Sequence, residues 1–256
     1  MHVSNEENKA VSNVYPLAIA PRNLVETHEE KQERLPFTVS IVTTDKEMSE
    51  AFHLAEAAYR RHVGELVYAT EAPSVSDRED GYAVLLARSK FDDAPVGTMK
   101  IQITHGGRLN IEQSVALPSW LAGQSLAGAN RLGVSSGGAG RMVKLALFKA
   151  YYLYCLQAEI DWMVIAARTP LDKQYADMMF QDVFGDHEFV PLAHAANIPH
   201  RVMAFDVAGA AARWGAVRHP LYNFIFATRH SDIRVAQSHL SLPLERAGAG
   251  ERRAAV

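Results

Sequence analysis

Residues 125–167 constrain the fold more than any other part of the chain. A strand candidate, SLAGANRLGVS (125–135), leads into a loop of small residues, SSGGAG (135–140). The stretch 141–159 is apolar on nearly every side of a helix, which predicts a buried helix. IDWMVIAA (160–167) then has the continuous apolar character of a buried strand. Two strands joined by such a helix lie parallel in one sheet, so the segment predicts a βαβ crossover.

The segments on either side predict that the rest of the sheet is mixed. They show strand-like alternation or helical periodicity, and their connections favour antiparallel hairpins. The predicted elements are a strand at 37–42, a helix that starts at the capping pair Thr44 and Glu47, strands at 81–88 and 95–103, a helix at 171–184 and a strand at 201–207. We therefore expect an α+β (mixed α/β) fold with a central twisted mixed sheet flanked by helices.

The composition fits one globular domain and argues against some classes of protein. The chain has 256 residues, of which 48% are hydrophobic and 21% charged, so its core needs no metal or disulfide support. A formal net charge of −3 argues against a nucleic-acid partner. We expect an N-terminal arm at 1–36, one domain at 37–244 and a flexible tail at 245–256.

Cysteine usage and hydropathy predict the compartment. Cys155 is the one cysteine of the sequence and lies in the apolar helix, so no internal disulfide can form, as is usual in a reducing cytoplasm. The sequence has no signal-peptide core and no apolar run long enough to span a bilayer. We expect a cytoplasmic protein with no transmembrane segment, no metal site and no tightly bound cofactor.

Two interpretations are open for the glycine-rich loop. Glycines let backbone N–H groups point inward without a Cβ in the way, and a helix start adds unpaired N–H donors and the positive end of the helix dipole. Because the helix start is also basic, we expect a phosphate site, and the alternative is an ordinary turn from strand to helix. The residues of the predicted phosphate site are Val134, Gly137, Gly138, Ala139, Gly140, Arg141 and Lys144.

Two common phosphate motifs do not fit this loop. The Walker motif ends in Gly-Lys-Ser/Thr, and no such ending follows the loop. The dinucleotide-binding motif Gly-x-Gly-x-x-Gly would begin at Gly138 and Gly140, but its third position is Val143. What remains is a strand ending in Arg-Leu-Gly-Val, a glycine-rich turn and a basic helix start. This combination resembles the pyrophosphate loop of the GNAT acyltransferase superfamily.

The resemblance implies a GNAT-like acyltransferase fold, in which the loop amides hold the phosphate of phosphopantetheine or coenzyme A and the preceding strand presents the thioester. The order DGYAVLLAR, VGTMKIQI, NRLGV and IDWMVIAARTPLDKQYADMMFQDVFG resembles the acyl-homoserine lactone synthases of that superfamily. The chain is more similar still to the N-acyl amino acid synthases, over residues 37–230. That similarity rests on AYRRHVGELVY (58–68), SDREDGYAV (76–84), IPHRVMAFDV and HPLYNF (219–224).

The lactone-synthase pattern is incomplete in this sequence. Those enzymes usually carry Glu-x-x-Arg on the strand before the glycine loop; here Arg131 is present, but Gly128 stands at the glutamate position. An arginine of the neighbouring strand is replaced by Lys100. The resemblance therefore implies transfer of a long-chain fatty acyl group from acyl carrier protein or acyl-CoA to the α-amine of an amino acid. A lactone synthase and a non-catalytic acyl-thioester-binding module are the alternatives.

Acyl transfer to an amine needs a base and an acid beside the thioester. His62, Glu65 and Asp80 are the candidate bases near the expected site, and a structural role at a helix end or in a loop is the alternative for them. Tyr175 falls where many GNAT enzymes carry a tyrosine that protonates the leaving thiolate. Its alternative is core packing.

Other side chains are candidates for substrate contact. Arg131, Lys100 and Asp77 are the predicted acceptor-binding residues, because a guanidinium matches a carboxylate in two parallel hydrogen bonds. Arg131 could instead pair internally with Asp80. A basic face formed by Arg141, Lys144 and Lys149 is expected to dock an acidic carrier protein.

Two aromatic and apolar groups also allow a structural interpretation. Tyr151, Tyr152 and Tyr154 lie on the buried helix, and we expect them in the core. Leu221, Phe224, Ile225 and Phe226 could wall an acyl-chain tunnel or pack an extra helix on the sheet.

Overall fold

The computed structural model describes residues 31–63, 81–104, 108–137 and 140–235. In chain order the elements are β1 (Lys31–Glu33), β2 (Phe37–Ile41), α1 (Asp45–Val63), β3 (Tyr82–Ser89), β4 (Pro95–Ile103), β5 (Leu126–Val134), α2 (Gly140–Gln157), β6 (Trp162–Ala167), α3 (Leu171–Asp177), β7 (Gln181–Asp182), β8 (Phe189–Leu192), β9 (Ile198–Asp206), α4 (Ala210–Ala216), β10 (Thr228–His230) and β11 (Ile233–Arg234). Within the described residues, no helix has the length and apolar character needed to span a membrane.

The central sheet is mixed, as the sequence predicts. Its strand order is β11-β2-β3-β4-β5-β6-β9-β7, and β8 pairs with β9 beside this path. Strands β2 to β5 are antiparallel neighbours, β5 and β6 are parallel, and β6 and β9 are antiparallel. The α+β class and the βαβ crossover through α2 are therefore confirmed. Strands β1 and β10 form a separate parallel pair.

Helix α1 begins at the predicted capping box. The Glu47 carboxylate accepts hydrogen bonds from the main-chain N–H groups of Thr43 at 2.9 Å and Thr44 at 3.1 Å. The N–H of Glu47 in turn donates to the Thr44 hydroxyl at 3.3 Å. These bonds satisfy donors that a helix start leaves unpaired. The apolar face of α1 then packs on β3, β4 and β5.

Helix α2 is buried against the opposite face of the sheet. A Cβ on Gly97 of β4 would lie 2.4 Å from a methyl carbon of Val143, so the helix approaches the sheet at van der Waals distance. The Tyr151 hydroxyl donates to the main-chain carbonyl of Ala127 in β5 at 2.5 Å. Burial raises the pKa of the Cys155 thiol well above its ordinary value. The expected core tyrosines, Tyr151, Tyr152 and Tyr154, are all buried.

Helix α3 is shorter than the sequence predicts. The expected helix at 171–184 ends at Asp177, because Met179 adopts a left-handed backbone with φ of 62°. The N–H of Phe180 then closes the helix end on the carbonyl of Tyr175 at 3.0 Å. Residues Gln181–Asp182 leave the helix path and pair with β9. The second half of that helix prediction is therefore wrong.

The segment after α4 packs on the core. Ile225 is buried, and the Phe226 ring lies edge-on to Tyr152 at 5.2 Å between centroids. Phe226 also meets Trp214 edge-on at 5.2 Å. Of the two interpretations of Leu221, Phe224, Ile225 and Phe226, packing against the core is the one observed.

Candidate active site

The parallel strands β5 and β6 stop pairing before either strand ends. Their last paired residues are Ala129 and Ile165. On its other side, β5 still pairs with β4 as far as Val134, and β6 still pairs with β9 as far as Ala167. The facing backbone groups of residues 130–134 and 166–167 are thus outside that ladder. We call the space between these two strand ends the wedge.

A bulge in β5 lies at the mouth of the wedge. Thr98 pairs with Gly133 and Lys100 with Asn130, so Met99 of β4 faces two residues of β5, Arg131 and Leu132. Arg131 has a left-handed backbone with φ of 50°. A bulge of this kind bends the strand and re-aims a side chain. The Arg131 side chain is exposed, so the burial cost expected for an arginine inside an apolar strand does not arise.

Arg131 faces helix α1 across a small cleft. Its guanidinium carbon lies 5.7 Å from the centroid of the Phe52 ring. The cleft is lined by Phe52, Ala55, Glu56, Tyr59 and Arg131, and we call it the α1 cleft. The helical members are spaced so that they share one side of α1. The expected pairing of Arg131 with Asp80 involves a residue outside the described part of the chain.

Two contacts hold α1 against this end of β5. A Cβ on Gly133 would lie 2.8 Å from the Cα of Ala55, so glycine permits the two main chains to touch. The Arg61 guanidinium donates to the main-chain carbonyl of Val134 at 2.5 Å. The position of the α1 cleft relative to the wedge is therefore fixed by packing and by a hydrogen bond.

The glycine-rich loop follows Val134 directly. Its residues Gly138 and Ala139 lie outside the described residues. Gly137 has a φ of 150°, which residues with a side chain rarely adopt. The N–H of Gly140 donates to the main-chain carbonyl of Gly137 at 3.4 Å. A cleft of about 300 Å³ adjoins the loop. It is lined by Pro36, Phe37, Ser89, Phe91, Val96, Ser135, Ser136, Gly137, Gly140 and Val143.

The basic residues after the loop have different surroundings. Arg141 is exposed in the first turn of α2. The Lys144 ammonium donates to the side-chain carbonyl of Gln174 in α3 at 2.8 Å, which links the two helices that follow the wedge strands. Arg141 is therefore the charged side chain of this turn that solvent reaches most freely.

Lys149 does not belong to a basic surface, and that prediction is wrong. Its side chain is buried, and its ammonium donates to the main-chain carbonyls of Phe224 at 2.8 Å and Thr228. The ammonium also lies 3.0 Å from Nδ1 of His230. A buried ammonium needs such acceptors, and the segment after α4 supplies them.

Tyr175 lies in α3, the helix that follows wedge strand β6. Its ring packs on Phe180 with centroids 5.1 Å apart. Burial raises the pKa of its hydroxyl well above the ordinary value, and the nearby Tyr59 phenol of α1 adds to the rise. Among the residues that the structure describes, none bonds to the Tyr175 hydroxyl. The group is thus a protonated donor near neutral pH.

Lys100 lies beside the bulge, on the same sheet face as α1. It pairs with Asn130, and its ammonium lies 3.9 Å from the centroid of the Tyr82 ring. The Tyr82 hydroxyl reaches the side-chain carbonyl of Asn110 at 3.4 Å. Lys100 and Arg131 thus lie on adjacent strands near the opening of the wedge.

The remaining predicted site residues are only partly placed. His62 lies in the last turn of α1, as expected from the sequence, and its side chain is outside the described part of the structure. Glu65, Asp77 and Asp80 also lie outside the described residues. The structure adds three neighbours that sequence reasoning missed: Glu56, Tyr59 and Arg61. Glu56 borders the apolar face of α1, and that position was the available signal.

Comparison with known proteins tests the fold. No protein-family model matches the sequence, and no curated protein matches it significantly. Among solved structures, FeeM, an N-acyl amino acid synthase from uncultured soil microbes, superposes with a TM-score of 0.55 at 16% identity, covering 73% of this chain and 96% of that chain. The chain therefore shares the fold of that N-acyl amino acid synthase. The resemblance in fold that the sequence motifs predicted is confirmed.

Two other solved structures match with lower scores. The AHL synthase LasI superposes with a TM-score of 0.49 at 16% identity, covering 67% of this chain and 90% of that chain. NAA60 from Arabidopsis thaliana, in complex with acetyl-CoA, superposes with a TM-score of 0.47 at 15% identity, covering 68% and 98%.

Proposed function

We propose that this protein is an N-acyltransferase that moves a long-chain fatty acyl group from a thioester donor to the α-amine of an amino acid. The observation that carries the proposal is the wedge between β5 and β6, which opens directly before the glycine-rich loop. An acyl-phosphopantetheine arm suits such an opening, because strand groups outside the β5–β6 ladder can bind its amides and the loop can bind its phosphate.

Acyl transfer from a thioester to an amine requires a neutral amine as nucleophile and a proton for the leaving thiolate. The amine nitrogen attacks the thioester carbon, the C–N bond forms, and the C–S bond breaks as the thiolate leaves. Tyr175 gives its proton to the sulfur, and its raised pKa keeps that proton in place until the thiolate appears. The ammonium of the acceptor loses one proton to a base before the attack, and the nitrogen loses a second proton as the C–N bond forms.

The acceptor is held through its carboxylate. Arg131 is exposed at the bulge, and its planar guanidinium suits two parallel hydrogen bonds to a carboxylate. Lys100 and Asp77 are secondary candidates for the acceptor, and His62, Glu65 and Asp80 stay candidate bases. An amino acid bound to Arg131 places its α-amine beside the wedge.

The donor is an acyl carrier protein or acyl-CoA. Arg141 and Lys144 are the proposed contacts for an acidic carrier protein, with Arg141 the more exposed of the two. Val134, Gly137, Gly138, Ala139 and Gly140 would hold the phosphate. Both donors are cytoplasmic thioesters, which agrees with the proposed cytoplasmic location.

One observation disfavours a lactone synthase. A Cβ on Gly128 would lie 3.1 Å from a methyl carbon of Leu109, which leaves little room for the glutamate of the lactone-synthase pattern. The remaining alternative is an acyl-thioester-binding module without catalysis.

Mass analysis of small molecules from cells that express the protein separates these functions. We expect long-chain N-acyl amino acids that are missing from empty-vector cells. Lactones would favour a lactone synthase, and the absence of both products would favour a binding module. Tyr175→Phe, expressed in parallel at equal protein level, shows whether the product depends on this site.

A further inference from the structure

Glu56 lies in the α1 cleft with Arg131, and its carboxylate is held in place. Its side chain is 21% exposed, and one carboxylate oxygen accepts a hydrogen bond of 2.5 Å from Arg60. The other oxygen lies 3.7 Å from Nδ1 of His53. These two partners lie on α1 itself, and Arg131 is the charged group that faces the cleft from β5.

The position of this carboxylate is tied to the acceptor site. Helix α1 touches β5 at Ala55 and Gly133 and is bonded to Val134 through Arg61. Glu56 follows Ala55 directly, so the contact that fixes the helix also fixes the main chain of Glu56 relative to the bulge. The hydrogen bond from Arg60 restrains its carboxylate.

A carboxylate and a guanidinium border the cleft, and an amino acid carries one ammonium and one carboxylate that could match them. In an α-amino acid the amine lies only two bonds from the carboxylate carbon. An acceptor whose carboxylate is held by Arg131 therefore keeps its amine within a few ångströms of the guanidinium. A general base must reach the proton directly or through one water. Glu56 lines the same small cleft as Arg131, so its carboxylate is on the side of the site where that amine would lie.

The proposed acid lies near the same cleft. Tyr59 follows Glu56 by one helical turn and lines the cleft, and its phenol is close enough to influence Tyr175. Tyr59 thus connects the cleft that holds Glu56 to the surroundings of Tyr175.

We propose that Glu56 is the catalytic base that takes the proton from the acceptor ammonium. This inference rests on the proposed function. Glu56 removes one proton from the ammonium, and the neutral nitrogen attacks the thioester carbon. The second N–H proton leaves to water as the C–N bond forms and the C–S bond breaks. Tyr175 protonates the thiolate and regains a proton from that water, and Glu56 releases its proton to solvent.

The test measures thiol release by purified protein at saturating donor, from neutral to alkaline pH. Glu56→Gln should lower kcat about 10²–10⁴-fold near neutral pH, with the donor KM unchanged. The deficit should narrow as pH rises through the α-amine pKa of the amino acid, because the amine then loses its proton without help. Glu56→Asp keeps a carboxylate and should recover part of the loss.

Glu50→Gln is the matched control. Glu50 lies on the same helix, its side chain is 24% exposed, and its carboxylate pairs with Arg88 of β3 instead of facing the cleft. We expect this variant to keep the wild-type kcat and pH profile, and melting curves check the folding of all three variants.

Two results overturn the assignment in different ways. If wild-type protein forms N-acyl amino acid and Glu56→Gln keeps its kcat, or loses the same factor at every pH, Glu56 is not the base. If wild-type protein transfers no acyl group to any amino acid, the proposed function fails and the assignment falls with it.

Discussion

The main chains of Gly133 and Ala55 meet where β5 passes under α1, and a Cβ on Gly133 would lie 2.8 Å from the Cα of Ala55. This contact lies between the Arg131 bulge and the glycine-rich loop. It therefore couples the helix that lines the acceptor cleft to the strand that presents the thioester. Any added atom at residue 133 must push the helix or the strand away.

Gly133→Ala should destabilise the protein by about 1–3 kcal/mol, the usual cost of overpacking a core. It should also raise the KM for the amino acid, because the α1 cleft would widen. Urea unfolding and steady-state kinetics measure the two effects. Gly215→Ala is the control, since a Cβ there would make an ordinary contact of 3.5 Å with Tyr222. Equal behaviour of both variants would contradict the close contact.

Tyr175→Phe should lower kcat by about 10²–10⁴-fold while the donor KM stays unchanged. The hydroxyl bonds to no described residue, so its loss should leave the melting temperature nearly unchanged. Tyr151→Phe should show the reverse pattern. It leaves the Ala127 carbonyl without its partner, which costs about 0.5–1.5 kcal/mol, but keeps kcat. A Tyr175→Phe enzyme with full kcat would remove the tyrosine from the mechanism.

Acid should weaken the fold through His230. Burial and the Lys149 ammonium lower the pKa of this histidine in the folded protein, so the unfolded chain binds its proton more readily. The stabilisation is present above the ordinary histidine pKa of about 6.5 and is lost as pH falls from there through the folded pKa. The slope from this one group is at most about 1.4 kcal/mol per pH unit.

His230→Gln should flatten that acid loss, measured as the free energy of unfolding in urea on both sides of the histidine range. His194 and His200 also have lowered pKa values, so the slope should shrink and not disappear. His187→Gln, which changes an exposed histidine instead of a buried one, is measured in parallel. An unchanged slope in His230→Gln would contradict the lowered pKa of this histidine in the folded protein.

Arg131→Lys should raise the KM for the amino acid about ten- to hundredfold, since a hydrogen bond to a charged group contributes about 1.5–3 kcal/mol. Donor KM and melting temperature should stay close to wild type, because the side chain is exposed. The variant should also lose the preference for the free acid over the amino acid amide. A lower melting temperature with the preference retained would instead indicate internal pairing. Arg234→Lys, an exposed arginine on β11, is the control.

The central part of the fold could be predicted because its signals are local. The apolar strands and the buried helix of residues 125–167 follow each other without interruption. Because a crossover between parallel strands is right-handed, the helix can pack on only one face of the sheet. The capping box at Thr44 and Glu47 is likewise a pattern of neighbours. The end of α3 was misjudged, since it depends on the left-handed backbone at Met179 and on pairing with β9.

The site was only partly predictable because its contacts join distant residues. Lys149 looks like a surface lysine until Phe224 and Thr228 supply its acceptors from far along the chain. The exposure of Arg131 follows from a bulge, which exists only once β4 and β5 are in register. The helical periodicity of α1 predicts only that Glu56 borders the apolar face of the helix. Its place in a candidate site is evident only from Arg131, which lines the same cleft from β5.

The most direct test of the account combines purified protein, a long-chain acyl-CoA or acyl carrier protein, and a mixture of the amino acids. Free thiol is followed over time, and the products are identified by mass. The account predicts that N-acyl amino acid and free thiol appear in equal amounts, and that both depend on the amino acid. Thiol release that is absent, or that proceeds equally without any amino acid, would contradict it.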